Sequence, residues 1–319
     1  MTPKVSVLMA VYNGERYLRE AIDSILGQTF ADFEFIIIDD ASTDRSFEIA
    51  GGYADPRIRL VRNERNLGLT LSLNRGLDLA RGEYVARMDC DDLSLPERLA
   101  KQVAFMEANP DVGACSTWAF DIDSAGNVIG KRELPVGEQL DNFYWRRSLI
   151  HPAAMFRFDR SAGPRYDPAF RYAQDYDLWF RIRAERRLCN LPEHLLLYRV
   201  HEESITGSRF EAQLRACYDV FCRNTGTRAI SFEAYLALTE RSWALHPLRR
   251  AFAMMRLARR LRTPYRVYFR DDLRYARVWM YSRQIYNAVA RTRTYRVARD
   301  VLKRIARAGS RATGIAGVH

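Results

Sequence analysis

The sequence predicts an α/β protein, a mainly parallel sheet flanked by helices, followed by an α-helical basic C-terminal region. Three observations predict it. Strand and helix periodicities alternate through the first third of the chain, the order that builds parallel sheets through right-handed crossovers. Acidic residues end two apolar strand segments, "IIIDD" (Ile36–Asp40) and "ARMDCDD" (Ala86–Asp92), where open α/β sheets bind ligands. The charge is also divided. From Arg241 to His319 there are 20 Lys and Arg against 3 Asp and Glu, whereas the first 240 residues hold 30 against 36.

The elements follow in order. "KVSVLMAVY" (Lys4–Tyr12) reads as a buried strand, and "RYLREAIDSIL" (Arg16–Leu26) as a helix with Tyr17, Ala21 and Ile25 on one face. "FEFIIID" (Phe33–Asp39) is a strand, and "STDRSFEIA" (Ser42–Ala50) opens with helix-capping residues. Strands at Arg57–Asn63 and Glu83–Asp89 enclose a helix at Leu69–Ala80. Pro96 suits the first turn of a helix over Leu95–Asn109. Val112–Phe120 reads as a strand, with turn chemistry at Gly126–Asn127. Ile150–Phe158 and Leu195–His201 read as strands around a helix at Gln174–Arg187. After Ser208 the pattern is helical, with arginine-studded amphipathic stretches at Pro247–Leu261 and Tyr275–Val289. The expected domains are 1–208 and 209–319.

Composition excludes several classes. With 319 residues, 48% hydrophobic and 28% charged, the chain is an ordinary globular protein of about two domains rather than a disordered one. Five scattered cysteines, none in a C-x-x-C pair, indicate neither a zinc site nor a disulfide framework, and a reducing compartment. No segment reaches the roughly 18 apolar residues of a membrane span, and the N-terminal run is too short for a signal peptide. The expected location is the cytoplasm.

The acids carry the chemistry. In a strand, residues i and i+2 share a face, so Asp89 and Asp91 can converge on one cation, with Cys90 pointing away. Mg2+ or Mn2+ is typically held by one or two carboxylates plus substrate phosphates. Asp92 suits the start of the following helix. Asp39 and Asp40 can hydrogen-bond a nucleoside's ring N–H or ribose hydroxyls, or serve only as turn and capping residues. Asn13 and Gly14, and Asn66 and Gly68, read as turn residues, while Asn74 is an unfavourable residue inside a helix.

Taken together, "VSVLMAVYNGERYLREAIDSILGQTF", "FEFIIIDDASTD", "NERNLGL" and "GEYVARMDCDD" resemble, in order and spacing, the family 2 glycosyltransferases. "HPAAMFR", "AQDYDLWFRI" and "LYRVHEESIT" continue the resemblance over roughly Lys4–Ser208. It implies the GT-A nucleotide-diphospho-sugar transferase fold, a Rossmann-like sheet, and an inverting transfer from a sugar nucleotide in surface-polysaccharide synthesis. UDP-sugar is the family's commonest donor class.

By position, the resemblance sets Ala10, Val11, Tyr12 and Glu15 beside the nucleotide. Asp40 faces the base with Asp39 beside it, and Asn66, Gly68 and Asn74 lie on the donor side. Asp89 and Asp91 match the D-x-D, and His201 matches a histidine that completes the metal shell in some relatives. Asp175 matches the catalytic acid. Leu73 stands where many relatives carry Arg, and Gln174 where the family has Glu.

Departure of a diphosphate builds negative charge that Mn2+ or Mg2+ can offset, and Asp175 is the candidate base for the acceptor hydroxyl. With no covalent nucleophile, one displacement inverts the anomeric centre. His151 reads as structural or acceptor-side. The basic end can pack on the catalytic domain, lie on an anionic membrane or bind nucleic acid. The membrane is preferred, because surface-glycan acceptors are commonly lipid-linked. The rivals are a nucleotidyltransferase, which needs a Gly-rich phosphate loop that "VYNGERY" matches poorly, and a degenerate nucleotide-binding protein whose basic tail binds nucleic acid or a partner. A dinucleotide-dependent oxidoreductase is disfavoured by the lack of G-x-G-x-x-G after the first strand.

Overall fold

A computed structural model describes residues 2–136, 149–201 and 210–226, together with Phe232 and Tyr235. The helices expected at Pro247–Leu261 and Tyr275–Val289, and the "LYRVHEESIT" stretch beyond His201, lie outside the described residues. The chain divides into two compact units, Met1–Arg228 and Ala229–His319. The expected boundary at 208 falls inside the first, which is described below.

Its elements are β1 (Val5–Val11), α1 (Leu18–Leu26), β2 (Phe33–Asp39), α2 (Ser46–Gly51), β3 (Ile58–Arg62) and α3 (Leu69–Leu79), then β4 (Tyr84–Met88), β5 (Leu93–Ser94), α4 (Arg98–Ala108), β6 (Val112–Ile122) and β7 (Val128–Arg132). They are followed by β8 (Met155–Arg157), α5 (Gln174–Glu185), β9 (Arg187–Arg199) and α6 (Phe210–Thr225). One sheet runs β3-β2-β1-β4-β8-β6-β9-β5, with β7 paired to β6. β1 and β2 are buried at every position, which is why their sequences are continuous apolar runs rather than alternating ones. Helix α1 buries Leu18, Ala21, Ile22 and Ile25, a single stripe. Helix α3 comes so close to β1 that a Cβ added at Gly76 would lie 2.1 Å from the Leu8 Cδ1.

The expectation of a mainly parallel sheet holds for β3-β2-β1-β4, which are parallel. Beyond them β6 and β9 also pair in parallel, but the other pairings are antiparallel. β8 runs antiparallel to both β4 and β6, and β5 antiparallel to β9. The sheet is therefore mixed. The strand expected over Ile150–Phe158 is mostly not a strand. Pro152 lies in a 3-10 turn, His151–Ala153, so pairing starts only at Met155. β9 is longer than expected because it begins directly after α5. Its pairing with β6 steps from Leu191 to His194 past Pro192, which has no N–H for the ladder and is absorbed as an irregularity. The turn expected at Gly126–Asn127 closes the β6–β7 hairpin, with Gly126 at φ 89°.

Candidate active site

The turn after β1 is stitched to the loop after β2. The Asn13 amide donates to Ser42 Oγ (3.1 Å), and its side-chain oxygen accepts from the Thr43 N–H (2.9 Å). Gly14 N–H donates to Ser46 Oγ (2.8 Å). Glu15 N–H donates to Asp44 (2.9 Å), and the Glu15 carboxylate accepts from the Arg45 N–H (3.0 Å). The residues expected to cap a helix at Ser42 or Thr43 are thus used across the gap, and α2 starts only at Ser46. Of the four residues expected beside the nucleotide here, Ala10 and Val11 are buried, Glu15 is tied to Arg45, and Tyr12 is 49% exposed.

Asp39 and Asp40 make different contacts. Asp40 is buried, with one oxygen accepting from Asn63 Nδ2 (2.6 Å) and Leu67 N–H (2.8 Å), and the other from Gly68 N–H (2.8 Å). It holds the 63–68 loop, where Gly68 takes φ 85° at the mouth of α3. Asp39 accepts from Ser42 N–H (3.2 Å) and pairs with Arg62 Nε (3.2 Å) through one oxygen. Its other oxygen, also buried, has no partner among the described residues. Asn66 lies in the loop that Asp40 holds. Asn74 is a bracket: its amide donates to the Tyr166 carbonyl (2.7 Å) and accepts from the Tyr166 N–H (2.9 Å).

At the end of β4, oxygens of Asp89, Asp91 and Asp92 lie within 4.8 Å of one another. Asp89 pairs with the guanidinium of Arg87, a side chain with no exposure. Asp91 meets His201 Nε2 at 2.9 Å. Asp92 does not start a helix. It is buried and accepts from the Arg199 N–H (2.8 Å), while α4 begins six residues later without a side-chain cap. Cys90 lies against the first turn, 3.0 Å from where a Cβ at Gly14 would stand.

Burial raises the Asp89 carboxyl, Arg87 opposes it, and Asp91 and Asp175 add to it. Burial, then the charges of Asp91 and Asp89, lifts Asp92 well above the usual carboxylate range. Three crowded acids, with the buried Oδ2 of Asp92 unpartnered among the described residues, suit a hard divalent cation. Because Arg87 already meets Asp89, Asp91 is the better direct ligand, with His201 beside it.

Asp175 stands in the first turn of α5, which starts from Ala173 at φ 60°. Gln174 is buried. The helix is tied to α6 through Asp177, a fully buried carboxylate that pairs with Arg181 (2.9 Å), Arg223 and Asn224 (3.1 Å). His151 Nε2 lies 2.9 Å from the Tyr166 hydroxyl. Burial, then the Arg87 charge, holds its imidazole well below the ordinary value. Sequence reasoning did not single out Arg87, Arg199 or Asn63. A charged residue inside the apolar strand "YVARM" was the available signal for Arg87.

The glycosyl transferase family 2 profile matches residues 6–162. An uncharacterized glycosyltransferase of Methanocaldococcus jannaschii is 38% identical over 219 residues, 66% of this chain and 76% of the relative. The O-antigen biosynthesis glycosyltransferase WbnJ of Escherichia coli is 37% identical over 214 residues, 64% of this chain and 82% of that protein. A mannosyltransferase of Pyrobaculum calidifontis, solved with GDP-Man and Mn2+, shares the fold with a TM-score of 0.57 at 21% identity, covering 94% of this chain and 87% of its own. The sheet and helices described above are thus those of a GT-A glycosyltransferase, and the chain belongs to glycosyl transferase family 2.

Proposed function

We propose that the protein is an inverting, metal-dependent glycosyltransferase that moves a sugar from a nucleoside diphosphate to a hydroxyl of a glycan or lipid-linked acceptor. The observation that carries this reading is the acid cluster at the end of β4, with oxygens of Asp89, Asp91 and Asp92 within 4.8 Å of one another and His201 Nε2 2.9 Å from Asp91. Asp91 and His201, with Asp89 and Asp92 behind them, would hold Mn2+ or Mg2+. A divalent cation bound there supplies positive charge against the negative charge of the departing diphosphate.

The unpartnered oxygen of Asp39 is the acceptor available for a base N–H, and Tyr12 is the exposed ring one residue beyond Val11, the partner of Asp39 in the β1–β2 pairing. Asp175 takes the acceptor's proton while the hydroxyl oxygen attacks the anomeric carbon from the side opposite the diphosphate, which inverts that centre. The solved mannosyltransferase, named with GDP-Man and Mn2+, and the O-antigen relative support the donor and acceptor classes. UDP-sugars are the first donors to test, GDP-sugars the second.

Among the described residues, no helix is long and apolar enough to cross a membrane. The basic segment from about Pro247 to Arg307 is proposed to meet anionic lipid, and equal flotation with neutral and anionic vesicles, or none with either, would refute that part. For catalysis, Asp175→Asn should lower kcat by about 10²–10⁴-fold while nucleotide affinity stays unchanged. Activity surviving that change would contradict the assignment of the base.

A further inference from the structure

Arg199 ends β9 and is 2% exposed. Its guanidinium reaches separate parts of the chain at once. Nε donates to the Asp91 carbonyl (2.8 Å), and Nη2 meets the Glu20 carboxylate on α1 (2.9 Å). Nη1 lies 3.3 and 3.4 Å from the carbonyls of Asp123 and Ser124, in the β6–β7 turn. The Tyr17 ring lies against it, 4.2 Å from centroid to Cζ. Its backbone N–H donates to Asp92. Two residues further on, His201 grips the Asp91 carboxylate.

Asp91 is therefore held at both ends by one short segment at and just beyond the end of β9, the carbonyl by Arg199 and the carboxylate by His201. Among the described residues, the only carboxylate that Arg199 pairs with belongs to Glu20, whose side chain is 60% exposed. Burying a guanidinium is costly, and simple cohesion of strand to helix needs no charge. What the group supplies is a planar fork whose donors point in fixed, divergent directions, which an ammonium cannot copy.

We propose that Arg199 is the positioning residue of the divalent-cation site, fixing the backbone at Asp91 and so the direction in which its carboxylate faces the ion. This rests on the reading of Asp91 as a metal ligand. Partners that orient a metal ligand characteristically change metal affinity by about 10–100-fold when altered.

The test measures Mn2+ affinity of the full chain by the electron paramagnetic resonance of the free ion. Affinities for UDP and GDP without metal are measured beside it. Arg199→Lys keeps the charge and loses the fork, and is expected to weaken Mn2+ binding by about 10–100-fold while metal-free nucleotide affinity is kept. Glu20→Gln frees one arm of the fork at an exposed site, and is expected to weaken Mn2+ binding several-fold with the fold intact. Wild-type Mn2+ affinity in either variant overturns the proposal. So does a parallel fall of Mn2+ and metal-free nucleotide affinities, which would mark Arg199 as general scaffolding. No Mn2+ binding by the wild type would instead overturn the cation reading itself.

Discussion

Replacing Asp40 by asparagine separates an acid that holds a loop from the one proposed to meet the nucleotide. Asp40 is 3% exposed and accepts three hydrogen bonds, from Asn63, Leu67 and Gly68. Asparagine can keep one oxygen toward Asn63 and Leu67, but its amide nitrogen then meets the Gly68 N–H, donor against donor. One hydrogen bond to a charged acceptor is lost, worth about 1.5–3 kcal/mol, and the other two weaken to neutral strength. Relief of burying a charge offsets part of this, leaving a loss of about 3 kcal/mol. Urea unfolding measures the loss, and hydrogen exchange at the Leu67 and Gly68 amides locates it. Asp39→Asn is the counterpart, expected to weaken nucleotide binding by about tenfold or more. If Asp40→Asn moved stability by less than about 0.5 kcal/mol, or removed nucleotide binding from an equally stable protein, the division of labour would be wrong.

Two further outcomes are expected. His151 is held neutral in the folded protein, so its contribution is complete above the unfolded imidazole value of about 6.5 and is lost as pH falls below it. Between pH 7 and 5.5 that loss is about 1 kcal/mol. His151→Gln, which can still meet the Tyr166 hydroxyl, should flatten this slope, and an unchanged slope would refute the assignment. Gly76→Ala places a methyl 2.1 Å from Leu8 Cδ1 and should cost about 1–3 kcal/mol. Thermal unfolding should show a Tm several degrees lower, and an unchanged Tm would contradict the close packing of α3 on β1.

The legible parts of the sequence were those where one physical pattern acts alone. Continuous apolar runs announced β1 and β2, and acids after an apolar strand announced the cluster at the end of β4. What stayed hidden depends on distant partners. Asp39 and Asp40 are chemically alike in sequence, and only the fold shows that the amides of Leu67 and Gly68 occupy one of them. Asp92 resembled a helix cap until Arg199, far along the chain, supplied its partner. The reversed direction of β8 shows only in its pairing with β4 and β6, distant partners that leave no local signature. Arg87 stands out as a charge in an otherwise apolar strand, but its role shows only beside Asp89.

The most direct test of the central claim is calorimetric titration of nucleoside diphosphates into the wild type and Asp91→Asn, each with and without Mn2+. The account predicts that Mn2+ tightens binding of one nucleotide to the wild type, and that Asp91→Asn loses this gain while keeping the metal-free affinity. Equal wild-type affinity with and without Mn2+, or a gain that survives in Asp91→Asn, would contradict it.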